Sequence, residues 1–225
     1  MKIRIITLFP EMFNGPFSHS ILERAQKNGI FEIEYINLRG FGIGSHYQVD
    51  DTPYGGGPGM VLKVDVMAKA IKAAKKDFSK TKIILLTPQG SVLNQEKAMD
   101  LTLEKELILI CGHYEGFDER IRELVDLEIS IGKYILTGGE IPAMVLVDCI
   151  ARLLPGTLGR EESSYSESFS SDHLIEYPQY TRPEIYEGQA IPTVLKLGNH
   201  QDIALWRKSQ AILKSEKYKK FDGLK

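Results

Sequence analysis

The groups best suited to meeting a small ligand lie in three short stretches of the chain. Gly112, His113, Tyr114, Glu115 and Gly116 follow the apolar run ELILIC without a spacer. IGKYILTGGEIP at 131–142 follows a second apolar run at 129–131, and LTPQG at 86–90 follows a third. An apolar run that stops at glycine or a turn residue reads as a buried strand whose C-terminal end carries a ligand loop, the usual binding edge of an open α/β sheet. The first stretch places two glycine backbones and three polar side chains where a ligand would lie, and Thr137, Gly138 and Gly139 make a sharp turn before Glu140. A tight turn leading to an acidic helix start at Asp118 and Glu119 would leave the same pattern around 112–116. We expect the three loops to form one small-molecule pocket.

Several familiar chemistries are absent. The histidines stand at 19, 46, 113, 173 and 200, so there is no HExxH or HxH pair for a metal, and no GxSxG elbow for a hydrolase. The glycine-rich stretch RGFGIGSHYQVDDTPYGGGPGM fits neither GxGxxG nor a P-loop. A stretch of this length without periodicity is either a connector or a functional loop, and its glycines would let backbone N–H groups approach a bulky ligand. Cys111 and Cys149 lie in apolar segments and form no CxxC pair, which reads as buried, reduced thiols.

The elements that must position these loops can be read from periodicity. Apolar residues over 2–8, alternation over 31–36, and apolar runs over 82–86, 107–111 and up to Gly132 predict strands, with 107–111 as the central one. Helices are expected from a cap at Ser18 or Ser20 to Gln26, over 64–76 with Val66, Ala70, Ile71 and Ala74 on one side, from an Asn94 cap to Leu103, and from Asp118 to Leu124. A further helix over 140–154 is apolar on nearly all sides, which suits the core or a subunit interface. From 157 to 180 the chain turns serine-rich and acidic like a hinge, and the remainder from Pro183 reads as a small helical domain, with Asn199 and Asp202 as a capping pair.

With 225 residues, 43% of them apolar, the chain can bury a normal core. No apolar run is long enough to span a membrane and MKIRIITLF lacks a signal-peptide cleavage pattern, so the expectation is a soluble, cytoplasmic protein with no membrane partner. The net charge of −2 argues against a generic nucleic-acid binder. Its distribution is uneven: from Lys196 onward there are eight Lys/Arg against three Asp/Glu. Such a basic end can grip phosphates or simply form a solvated face.

Taken together, VDDTPYGGGPGMV, LTPQG, CGHYEGFDER, SIGKYILTGGEIPAMVLVD, ARLLPG and YTRPE, in this order, resemble the bacterial tRNA (guanine N1-position) methyltransferase family of the SPOUT class. The resemblance runs from LFPEMF near the start to GNHQDIALWR near the end. It implies methyl transfer from S-adenosyl-L-methionine to N1 of the guanosine just 3′ of the anticodon in tRNA. The fold it implies is an α/β parallel sheet with a deep trefoil knot, an exception to the rule against knots. That methyl-donor-binding domain would occupy 1–160, a flexible linker carrying the base 161–180, and a small helical tRNA-binding domain 181–225. The resemblance also implies a homodimer with each active site shared between subunits, and it allows Mg2+.

Residue by residue, the resemblance carries the methyl-donor site onto Pro88, Gly90, Gly112, Tyr114, Glu115, Gly116, Ile131, Gly132, Lys133, Tyr134, Ile135, Leu136, Gly138 and Pro142. Lys133 stands where the family usually has aspartate. Removing the N1 proton calls for a carboxylate, and the charge gathering on the base oxygen calls for a cation. Arg152 in ARLLPG matches the family's arginine, although a helix-end cation would also suit that position. The family's Asp-Ser-Phe reads Glu167, Ser168, Phe169 here, which makes Glu167 the candidate base and Asp172 the second candidate. For tRNA, the basic end and the loop holding Arg39, His46 and Tyr54 are the candidate contacts, with Arg39 in NLRGF where the family has Asn-Pro-Arg-Asp-Phe.

Overall fold

A computed structural model describes residues 1–75, 81–158, 167–169 and 175–221. It divides into two compact units, Met1–Gly159 and Arg160–Lys225. The first is built on β1 (Lys2–Thr7), β2 (Glu32–Asn37), β5 (Thr81–Val92), β6 (Glu106–Cys111) and β7 (Leu127–Ser130), in the order β2-β1-β6-β5-β7. Every pairing in this sheet is parallel, so all five strands deliver their C-terminal ends to one edge. β6 is the middle strand, as its unbroken apolar run predicts.

Successive side chains point to opposite faces, and both faces are covered. Ile3, Ile5, Ile84, Leu86, Leu107 and Leu109 pack on one side against α1 (Ser20–Lys27), α3 (Gln95–Leu101) and α4 (Glu140–Ala151). Ile6, Ile83, Leu85, Ile108 and Ile110 pack on the other against α2 (Val64–Ala74). Each fully buried Ile or Leu contributes about 1.5–3 kcal/mol, so this double burial fixes which strand ends become loops. α2 buries the predicted Val66, Ala70, Ile71 and Ala74, and adds Met67.

Several boundaries differ from the expectation. α1 has His19 as its N-cap with no side-chain cap bond, and Ser20, at φ 57, is its first residue. Residues 87–90, expected as a loop, lie within β5, which shifts register after Leu86 and pairs again with β7 through Ser91 and Val92. Asp118 does cap the next turn, accepting from the Arg120 N–H, but Glu119–Leu124 is a 3₁₀ helix. α3 is capped by Asn94 as predicted and stops at Leu101. Cys111 is buried and Cys149 partly buried, both as free thiols.

A short pair, β3 (Asp50–Asp51) with β4 (Val61–Leu62), brackets residues 52–60, the second part of the glycine-rich stretch. In the second unit, the hairpin of β8 (Ile185–Tyr186) and β9 (Gln189–Ala190) turns through Glu187 and Gly188, both at positive φ. This hairpin was not anticipated by the helical reading. α5 (His200–Phe221) follows. Asn199 caps it, accepting from the Gln201 N–H and donating through its amide to Asp202 at 2.8 Å. Among the described residues no helix is long and apolar enough to cross a membrane.

Candidate active site

The C-terminal ends of β5, β6 and β7 enclose a cavity of about 440 Å³. Gly112–Gly116 forms one wall, Ile131–Leu136 another, and Thr87, Pro88 and Gln89 a third. Of the expected donor-site residues, Pro88, Gly112, Tyr114, Glu115, Gly116, Ile131, Gly132, Tyr134, Ile135, Leu136, Gly138 and Pro142 line it. Gly90 and Lys133 do not. A side chain at Gly90 would meet the Glu128 and Ile129 backbones at 2.6 Å, so this glycine lets β5 lie against β7 and thereby sets the wall from behind.

Backbone bonds tie the walls together. The Gly139 N–H donates to the Gly112 carbonyl at 2.8 Å, and the Leu93 N–H to the Ser130 carbonyl at 2.8 Å. A Cβ on Gly112 would strike the Phe117 ring at 2.6 Å, and one on Gly138 would strike the Glu140 carboxylate at 2.4 Å. The Tyr134 hydroxyl donates to the Ile131 carbonyl at 3.2 Å, laying its ring across Gly132. Tyr114 is held at φ 60, a strained conformation for a bulky residue of the kind that collects at ligand sites.

Behind the cavity lies a buried polar chain. The Phe9 N–H donates to Thr7 Oγ1 at 2.9 Å, and that hydroxyl donates to Glu140 Oε1 at 2.7 Å. Glu140 opens α4, where the helix dipole favours a carboxylate. Burial, and then the Glu140 charge, push the Cys111 thiol well above the ordinary thiol range. Cys111 is therefore a packed, inert group rather than a nucleophile.

Sequence reading overlooked Arg122. It reaches the cavity rim from the 3₁₀ turn, pairs through Nε with Glu119 at 2.9 Å, and hydrogen-bonds both Glu128 and Gln89. It thus joins the β5, β7 and 119–124 segments. Nothing in its spacing signals this, since Gln89 is 33 residues away. The glycine-rich stretch is also stitched to the site. The Glu115 N–H donates to the Met60 carbonyl at 3.0 Å, and Gly59, at φ 78, leaves no room for a Cβ beside the Glu115 side chain.

Arg152 caps α4 in the first unit and is half-buried. Glu167 is described in the second unit, half-buried, while Asp172 lies outside the described residues. Arg39 and His46 are exposed, and Tyr54 is fully so. Among the described residues no three His, Cys, Asp or Glu gather to hold a metal ion.

The cavity suits an adenosyl group. Its size is that of a nucleoside-scale ligand pocket. Its walls are backbone edges and the apolar Ile131, Ile135 and Leu136, with glycines where any side chain would intrude. Such walls can read a purine edge through N–H and C=O groups and cover its faces.

Comparison with known proteins points the same way. Residues 1–223 match the family model described as tRNA (Guanine-1)-methyltransferase TrmD. A tRNA (guanine-N(1)-)-methyltransferase of Carboxydothermus hydrogenoformans is 58% identical over 214 residues, covering 95% of this chain and 83% of the relative. Proteins of the same name from Syntrophomonas wolfei and Staphylococcus carnosus are 55% and 52% identical, each covering 96% of this chain and 87% of the relative. A match that spans both units, together with relatives more than half identical over nearly the whole chain, means that this chain belongs to the tRNA (guanine-1)-methyltransferase TrmD family.

Proposed function

We propose that this chain methylates N1 of the guanosine immediately 3′ of the anticodon in tRNA, with S-adenosyl-L-methionine as donor. As a member of its family it is a tRNA (guanine-N(1)-)-methyltransferase. The single observation that carries the donor assignment is the convergence of β5 residues 87–89 and the loops around 112–116 and 131–138 on one cavity of nucleoside size. Bound there, the donor supplies an electrophilic methyl group on a sulfonium.

The residues then divide the work. Pro88, Gly112, Gly116, Ile131, Leu136 and Gly138 bind and orient the adenosyl group by backbone and apolar contact. Glu167 accepts the N1 proton while the N1 lone pair forms the new N–CH₃ bond and the sulfur–methyl bond breaks. The Arg152 guanidinium stabilises the negative charge that gathers on the guanine oxygen. Glu167 works as the base when bound tRNA brings guanine N1 within hydrogen-bond reach of its carboxylate.

Further parts of the proposal concern assembly. On α4, Ile141 and Val145 are 46% and 38% exposed, and Asp148 and Arg152 continue the same helical stripe. This supports a homodimer in which the stripe is covered and Arg152 reaches a shared active site. A loop at 131–139 lying against 112–116 supports the trefoil knot. The lysine-rich α5 supports tRNA binding by the second unit, and the whole reading suits a cytoplasmic enzyme without membrane contact.

The test is nucleoside mass analysis of a tRNA transcript after incubation with the donor. The reading expects 1-methylguanosine as the product, and a ribose-methylated nucleoside would replace it with a 2′-hydroxyl methyltransferase.

A further inference from the structure

Within the second unit, the segment that carries Glu167 is fastened to α5. The Ser168 hydroxyl accepts from the Glu176 N–H at 3.0 Å. The neighbouring Ile175 N–H donates to Ser215 Oγ at 2.7 Å, and Ser215 donates in turn to the Ala211 carbonyl at 2.7 Å. Ser215 is 3% exposed, the one buried polar side chain among the described residues of this unit. The Phe169 ring meets Tyr218 edge-on at 5.7 Å. Farther along, Arg207 covers the Tyr177 ring at 4.7 Å and Tyr180 lies 6.4 Å from Trp206. For the described residues Phe169, Ile175, Tyr177 and Tyr180, the partners step back along α5 from Tyr218 to Trp206.

The anchoring is specific at the place that matters. Phe169 is held at φ 68, a conformation that a bulky residue keeps only where its surroundings enforce it. Its ring contact with Tyr218 and the Ser168 bond act on the two residues directly after Glu167. Ser215 both donates and accepts, so alanine there would remove the partner of the partly buried Ile175 N–H.

We propose that α5 is the splint that presents the Glu167 carboxylate for proton removal, with Ser215 and Tyr218 as positioning residues. This inference rests on Glu167 as the base. A carboxylate on a loose linker would be misplaced for most of its time, and misplacement of about 1 Å can cost on the order of 100-fold in rate. The splint makes the second unit part of the catalytic apparatus as well as a grip on tRNA.

The test uses the full-length protein and a tRNA transcript, measuring kcat, KM for each substrate, donor affinity and melting temperature. The variants are S215A, S215T, Y218L, Y218F, E167Q and the double variant E167Q/S215A. The proposal expects S215A and Y218L to lower kcat about 10- to 100-fold with donor affinity unchanged. S215T and Y218F, which keep the hydroxyl and the ring, should restore kcat to within about threefold of wild type. S215A should add nothing to E167Q, because both act through one carboxylate.

If E167Q abolishes turnover while S215A and Y218L keep wild-type kcat, the splint is refuted and the base assignment stands. If E167Q turns over normally, the base assignment itself falls. A rise in KM for tRNA with kcat unchanged would make Ser215 and Tyr218 RNA contacts and overturn the proposal. Tyr218 is 39% exposed, so Y218L carries the test should S215A fail to fold.

Discussion

The Gly139 N–H donates to the Gly112 carbonyl at 2.8 Å, which joins the loop after β7 to the loop after β6. A Cβ on Gly139 would stand 2.6 Å from the Gly112 nitrogen and 2.7 Å from Cys111 Cα. Both are backbone atoms that cannot step aside. G139A should therefore destabilise the protein by about 1–3 kcal/mol through overpacking. Because the displaced backbone is the cavity wall, donor affinity should fall at least about tenfold, or ~1.4 kcal/mol. Thermal melting with and without donor checks both effects.

Arg122 gives a different balance. Its partners Gln89, Glu119 and Glu128 lie on three segments around the rim, and its side chain is about a quarter exposed at 26%. Partly exposed ion pairs are worth about 0–1 kcal/mol, so R122M should lower the melting temperature by no more than about 4 °C. Donor affinity should nonetheless drop about 3- to 10-fold, since Gln89 and its neighbours lose their tie, a change of ~0.7–1.4 kcal/mol. Fluorescence or calorimetric titration would read it.

The acid limb of stability should depend on Arg4. Its guanidinium, 3% exposed, donates to Glu106 at 2.9 Å and to Glu34 at 3.2 Å, joining β6, β1 and β2. Hydrogen bonding to Arg4, joined by the Thr81 hydroxyl, holds the Glu106 carboxyl below its ordinary value of 4.5 although burial works against this. A folded-state pKa below the unfolded one adds stability that is complete above about pH 4.5 and is lost as pH falls through the folded value. R4M should cost about 1–3 kcal/mol at neutral pH by removing the buried cation that the Glu34 and Glu106 carboxylates share. The difference from wild type should shrink between about pH 5 and pH 2, as melting curves across that range would record.

Salt should separate the two substrates. Residues from Lys196 onward carry eight Lys/Arg against three Asp/Glu. Binding of tRNA should weaken steeply between about 50 and 200 mM salt as counterions are released, while donor binding changes little. Filter binding for tRNA and calorimetry for the donor check this. A flat tRNA response would remove the phosphate-gripping role from α5.

Much of the sheet is legible in the chain because burial on both faces writes unbroken apolar runs, as in Glu106–Cys111. The Asn94 and Asp118 caps are legible because their bonds are local. What escapes depends on partners far away in the chain. The continuation of β5 past Leu86 needs Gly90 to lie against β7, and the Arg122 tie needs Gln89 brought to it. For α4 the apolar composition fits either the core or a subunit interface, and composition alone does not say that Ile141 and Val145 stay exposed in the single chain. The Glu187-Gly188 hairpin turn carries a local signal in its glycine, but its two-residue strands are too short to write an alternating pattern.

The ends of β5, β6 and β7 should bind the methyl donor. Calorimetric titration of S-adenosyl-methionine, or its demethylated product, into the folded protein tests it most directly. Saturable binding of one ligand per chain, lost in G139A, is the predicted result. Absence of heat from properly folded wild-type protein would contradict the account.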